Sequence, residues 1–270
     1  MSESLRKRVA TAAVLIALLL AVLFWLPAAA TVAMLTAVVL LGAWEWSAFL
    51  KLADPRSRFA YVALIALFLP LAWLATRAPA GLEALLGVAL LWWLIALVWI
   101  VVCPHRVGRW SAGLAGLLSL VPAWLALMRL RLEAAHGAEW VLFALMLVWM
   151  ADIAAYFFGR RFGRRRLAPT VSPGKTWEGA LGGLLASGIV AVAGGAWFRL
   201  PLDQFLVLCL AAVAFSIVGD LTESLLKRFA GMKDSGTLFP GHGGVMDRID
   251  SVTGAAPVLL LGLTILGVLP

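Results

Sequence analysis

Apolar runs of about 18 residues or more, the length at which a helix crosses a bilayer core, recur from Val9 to the C-terminus. A chain of 270 residues would otherwise suit one or two soluble domains. A mean hydropathy of +1.00 overrules that reading, and only 13% of the residues are charged. Short strands of alternating hydrophobicity, the mark of a membrane β-barrel, are lacking. The expected fold is all-α: a polytopic helical integral membrane protein with about nine spans. These fall near 9–26, 28–50, 59–76, 82–103, 111–128, 139–158, 178–198, 203–221 and 252–269.

Basic residues set the expected orientation. If the N-terminus lies inside, 18 of the 22 Lys and Arg residues fall in inside segments, and only Arg77, Arg129, Arg131 and Arg199 fall outside. Nine spans with N-in and C-out follow, in the cell inner membrane. The "RKR" start, its long apolar run and "AAA" at 28–30 read as an uncleaved signal anchor, because a second span follows at once. The whole of 1–270 reads as one membrane enzyme domain. Within it, 1–103 supplies N-terminal helices, 104–138 a middle helix with its connections, and 139–270 the site-bearing helices. Cys103 and Cys209, each inside an apolar run, read as packing residues. The net charge of +8 reports topology, not nucleic acid, since the basic clusters lack base-stacking aromatics.

Carboxylates are costly inside a bilayer, which makes each one near a span a functional candidate. Glu45, Asp152, Glu178, Asp220, Glu223, Asp247 and Asp250 gather at one depth, the inner leaflet, and are half of the 14 acidic residues. Asp220 with Glu223, and Asp247 with Asp250, stand i, i+3, so each pair shares a helix face. Two acidic pairs on consecutive spans repel unless cations lie between them. With hydroxyls from Ser216, Thr222 or Ser224, they form an all-oxygen environment suited to Mg²⁺. Helix capping, or pairing with Lys227, Arg228 and Arg248, is the simpler alternative for any single carboxylate.

Two inside loops suit phosphates. In "SPGKTWEG" the GKT is not a P-loop, because Pro169 stands where that motif needs glycine. A Ser172-Pro173-Gly174 turn is expected, presenting Lys175, Thr176 and free amides at the start of the seventh helix. In "KDSGTLFPGHGGVMDRID", glycines including Gly243 and Gly244 let backbone approach a ligand. Lys227, Arg228, Lys233 and Arg248 offset polyphosphate charge, and His242, between glycines, is a ligand contact or a structural residue. The residues alone describe a metal-dependent enzyme acting on phosphates at the inner-leaflet surface, with a phospholipid headgroup and a soluble nucleotide as substrates.

The stretch Ser224–Asp250, "SLLKRFAGMKDSGTLFPGHGGVMDRID", resembles the signature of the phosphatidate cytidylyltransferases, also called CDP-diacylglycerol synthases. That pattern is S-x-x-K-R, then K-D, a proline, H-G-G and D-R-x-D, and every element is present. "VSPGKTWEG", "VGDLTES", "WEW" and "LVWMADIAAYFFGRRFG" also look like family segments, so the likeness runs through the whole chain. It implies transfer of CMP from CTP to phosphatidate, giving CDP-diacylglycerol and pyrophosphate, with membrane lipids around the site. It also implies Mg²⁺, with room for a second cation. On this resemblance Asp220 and Asp247 are the principal ligands, with Asp250 and Glu223 as ligands or directly behind them. Lys175, Lys227, Arg228, Lys233 and Arg248 hold phosphates. Ser172, Thr176, Ser224, Asp234, His242, Gly243, Gly244 and Asp152 line the substrate pocket. A homodimer is left open, since the "GALGG" of Gly179–Gly183 suits close helix contact within the fold or between subunits. The alternatives are a CTP-dependent lipid kinase of the polyprenol type and, outside enzymes, a transporter with intramembrane carboxylates. The D-G-x-x-A-R pattern of CDP-alcohol phosphotransferases is absent.

Overall fold

The computed structural model describes residues 3–238 and 243–269, with side chains from residue 11 onward. Among them are nine helices and one small hairpin: α1 Glu3–Phe24, α2 Ala28–Phe49, α3 Pro55–Ala75, α4 Pro79–Val102, α5 Arg109–Glu133 and α6 Gly137–Phe162, then β1 Arg166–Ala168 and β2 Ser172–Thr176, then α7 Trp177–Phe198, α8 Leu202–Ala230 and α9 Met246–Ile265. Eight of these helices, α2 to α9, are long and apolar enough to cross a membrane; α1 contributes an apolar segment over Thr11–Phe24.

Local chemistry sets many of the boundaries. Pro55 and Pro79 open α3 and α4 within their first two positions, where the missing N–H has no partner to lose. The Asp54 side chain accepts from Ser57 N to cap α3. Gly231, at φ +74°, ends α8 in the left-handed conformation that glycine tolerates.

Two helices differ in length from the hydropathy expectation. α8 continues to Ala230, so Asp220 and Glu223 lie within it and do not close it. α9 begins at Met246, ahead of the apolar run, so Asp247 and Asp250 sit in its first turns. The Ser172-Pro173-Gly174 turn is also replaced. These residues belong to β2, antiparallel to β1 with Ala168 opposite Ser172, and the turn falls at 169–171.

The middle helix α5 and the last helix α9 are the most enclosed of the eight, whereas α3 exposes most of its surface. The closest associations are α6 with α7 and α8 with α9. A side chain on Gly183 would meet Ala151 O of α6 at 2.8 Å, so the GALGG stretch packs within the fold. Likewise, a side chain on Gly219 of α8 would meet Asp250 O of α9 at 2.6 Å, and one on Gly254 would strike Phe215 O. Backbone therefore lies on backbone where α8 crosses α9, which brings their acidic pairs together.

This close approach is testable in detergent. Gly254→Ala is expected to lower the unfolding free energy by about 1–3 kcal/mol through overpacking. Gly87→Ala, whose added methyl meets nothing within 4 Å, is expected to leave the midpoint unchanged or slightly raised.

Candidate active site

The hairpin is built by side chains from the helices around it. Thr176 caps α7 by accepting from Gly179 N at 3.1 Å. Glu178, in the first turn of α7, accepts from Arg164 N at 3.0 Å and Arg165 N at 3.2 Å, which fixes the chain entering β1. Glu178 is thus tied to the hairpin base and does not join the acidic cluster. Arg228 Nε of α8 donates to Val171 O at 3.4 Å, tying the hairpin turn to the bundle.

Lys175 at the end of β2 faces α8, with Nζ 2.5 Å from Asp220 Oδ2. The pair is an ion contact that ties the end of β2 to α8 at the cavity wall. Ser224 Oγ, one turn on, donates to Asp220 Oδ1 at 3.4 Å.

Behind this pair, Lys227 Nζ lies between two helices, 2.7 Å from Glu223 Oε2 of α8 and 2.8 Å from Asp247 Oδ1 of α9. Asp247 Oδ2 accepts from Ser235 N at 3.0 Å and Gly244 N at 2.8 Å, so this carboxylate also shapes the glycine-rich loop. The Glu223 and Asp250 carboxyl groups touch, and Glu223 Oε2 accepts from Lys227 Nζ. Two touching carboxyl groups repel unless a proton or a cation lies between them.

These elements surround a cavity of about 670 Å³. Of the expected site residues, Asp152, Ser172, Lys175, Thr176, Asp220, Asp247, Arg248 and Asp250 line it. Glu223, Lys227, Ser224 and Arg228 stand behind that wall. Lys233 and Asp234 are exposed on the loop, Gly243 and Gly244 shape the Asp247 turn, and His242 lies outside the described residues. The hydroxyls of Ser216 and Thr222 turn back onto carbonyls of their own helix, Val213 O and Val218 O, and offer nothing to the cavity. Tyr156, Arg160, Arg166 and Ser251 line the cavity without having been singled out. Arg160 and Arg166 were visible only as part of a topological arginine cluster. Asp152 reaches α9 by accepting from Ser251 Oγ at 3.3 Å. Glu45 reaches the same end of the bundle from α2, accepting from Ser235 Oγ, Val245 N and Met246 N.

The donor set fits a hard cation. Asp152, Asp220, Asp247 and Asp250 bring carboxylate oxygens to the wall, beside the Lys175 ammonium. Among the described residues, no three His, Cys, Asp or Glu side chains form a cage on their own. Mg²⁺ takes one or two carboxylates and completes its shell with substrate phosphates and water, which these wall oxygens would allow.

The Lys227 clamp predicts an asymmetry between the two lysines. Lys227→Met leaves two largely buried carboxylates uncompensated and should cost about 3–5 kcal/mol in detergent unfolding. Lys175→Met, whose partner Asp220 is 27% exposed, should cost much less.

The cytidylyltransferase family model matches residues 6–266. A phosphatidate cytidylyltransferase of Haemophilus influenzae is 41% identical over 278 residues, covering 94% of this chain and 96% of its own. One of Pseudomonas aeruginosa is 44% identical over 262 residues, covering 94% and 95%.

Proposed function

The chain belongs to the cytidylyltransferase family, and from that premise we propose that it transfers CMP from CTP to phosphatidate at the cavity between the hairpin, α6, α8 and α9. An oxygen of the phosphatidate phosphate attacks the α-phosphorus of CTP. The bond from that phosphorus to the bridging oxygen of the β-phosphate breaks, and pyrophosphate leaves. Such a transfer needs positioning and charge neutralisation more than a protein nucleophile.

The single observation that carries this reading is the Lys175–Asp220 ion pair, which sets a cation and a carboxylate side by side on the cavity wall. Lys175, Arg160, Arg166 and Arg248 line the cavity and offset triphosphate and lipid-phosphate charge. Asp220 and Asp250 would hold Mg²⁺; Asp247, expected as a principal ligand, has its oxygens engaged by Lys227 Nζ, Ser235 N and Gly244 N and braces the site together with Glu223. When bound, the ion neutralises charge on the phosphates and on the departing pyrophosphate. Ser172 and Thr176 bound the cavity beside Lys175. The basic residues concentrate on the site-bearing end of the chain's loops, which supports a cytoplasmic face in the inner membrane.

Purified protein in mixed micelles with phosphatidate, CTP and Mg²⁺ should release pyrophosphate and form cytidylylated lipid in equal amounts. Chelation of the metal should stop both. Asp220→Asn should lower turnover by about 100-fold or more while the protein stays monodisperse. Undiminished turnover in that variant, or none in the wild type, contradicts the proposal.

A further inference from the structure

The stretch Trp44-Glu45-Trp46 on α2 docks three neighbours at once. Arg58 of α3 stacks over the Trp44 ring at 4.1 Å and donates to Trp44 O at 2.8 Å. Trp46 Nε1 donates to Ala112 O of α5 at 2.9 Å. Between them, Glu45 is turned into the interior, only 8% exposed. The end of α2 is therefore a rigid post, held on two sides and carrying one carboxylate inward.

That carboxylate meets the start of α9. Met246 N and Ser235 Oγ both donate to Glu45 Oε2 at 2.8 Å, and Val245 N donates to Oε1 at 3.0 Å. The first amides of a helix have no partner within it, and α9 has no side-chain cap of its own. Glu45 fills that role from 200 residues away, placing a negative charge at the positive end of the helix. Ser235 Oγ in turn accepts from Asp247 N at 3.3 Å, and Ser235 N donates to Asp247 Oδ2 at 3.0 Å. A side chain on Gly236 or Gly244 would strike the Glu45 carboxylate, so two loop glycines are shaped around it.

We propose that Glu45 is a positioning residue for the transfer: acting through Ser235 and the first amides of α9, it holds Asp247, Ser235 and Gly244 in register with the cavity. Glu45 is not among the cavity-lining residues, so it acts through Asp247 and the residues it holds and not by touching substrate. The inference rests on the functional reading above.

Two readouts test it. In Glu45→Ala, kcat per folded enzyme should fall about 100-fold, the usual effect of a small misplacement, with KM for CTP held within about threefold. Glu45→Gln has the same shape and keeps one accepting oxygen, so its kcat should fall about tenfold with its thermal midpoint nearly intact. Without substrate, hydrogen exchange at the amides of 245 and 246 should quicken about tenfold or more in either variant. Wild-type kcat in Glu45→Gln, a raised KM with unchanged kcat, or exchange equal to wild type overturns the proposal. A wild-type protein that releases no pyrophosphate defeats the functional reading, while exchange at 245 and 246 still decides whether Glu45 holds the start of α9.

Discussion

One ammonium group, that of Lys227, joins the two helices that carry the acidic pairs. It sits between Glu223 and Asp247 at 2.7 and 2.8 Å, among residues almost closed to solvent. A charge in such a place is tolerable only when paired. The pairing spans the same two helices that Gly219 and Gly254 allow to cross with backbone on backbone. Without it, Glu223 and Asp247 would lose the cation between them. With it, one oxygen of Asp247 is held by the lysine and the other receives the amides of Ser235 and Gly244.

The charges then divide by position. Those behind the wall, Glu223, Lys227, Arg228 and Glu45, hold helices and loops to one another. Those on the wall, Lys175, Arg160, Arg166 and Arg248 with Asp152, Asp220, Asp247 and Asp250, face a cavity large enough for phosphates. Fixing charges in advance matters most where charge is redistributed on phosphates, because no reorganisation is then needed during the reaction.

Much of this was legible in the sequence. Long apolar runs count the helices, and i, i+3 spacing places Asp220 with Glu223 and Asp247 with Asp250. The ends of α8 and α9 were not legible in the same way. The last turns of α8, "TESLLKRFA", and the first of α9, "MDRID", carry too many charges for hydropathy to extend a span through them, yet ion pairs and close packing keep them helical. The hairpin was missed because three- and five-residue strands containing Pro173 and Gly174 have little strand propensity, and the Glu178 contacts that support them are tertiary. Lys227 and Glu45 show the general limit. Residue type marked both as out of place in an apolar chain, but their partners, 20 and 200 residues away, decide that one clamps and the other caps.

The central claim is that the cavity performs nucleotidyl transfer to a lipid phosphate, and the fate of labelled phosphorus tests it most directly. Purified protein would be given phosphatidate, Mg²⁺ and CTP labelled at either the α- or the γ-phosphorus. The account predicts that the α label enters the lipid and the γ label appears only in pyrophosphate. A γ label in the lipid, with CDP released, would show phosphoryl transfer and contradict it.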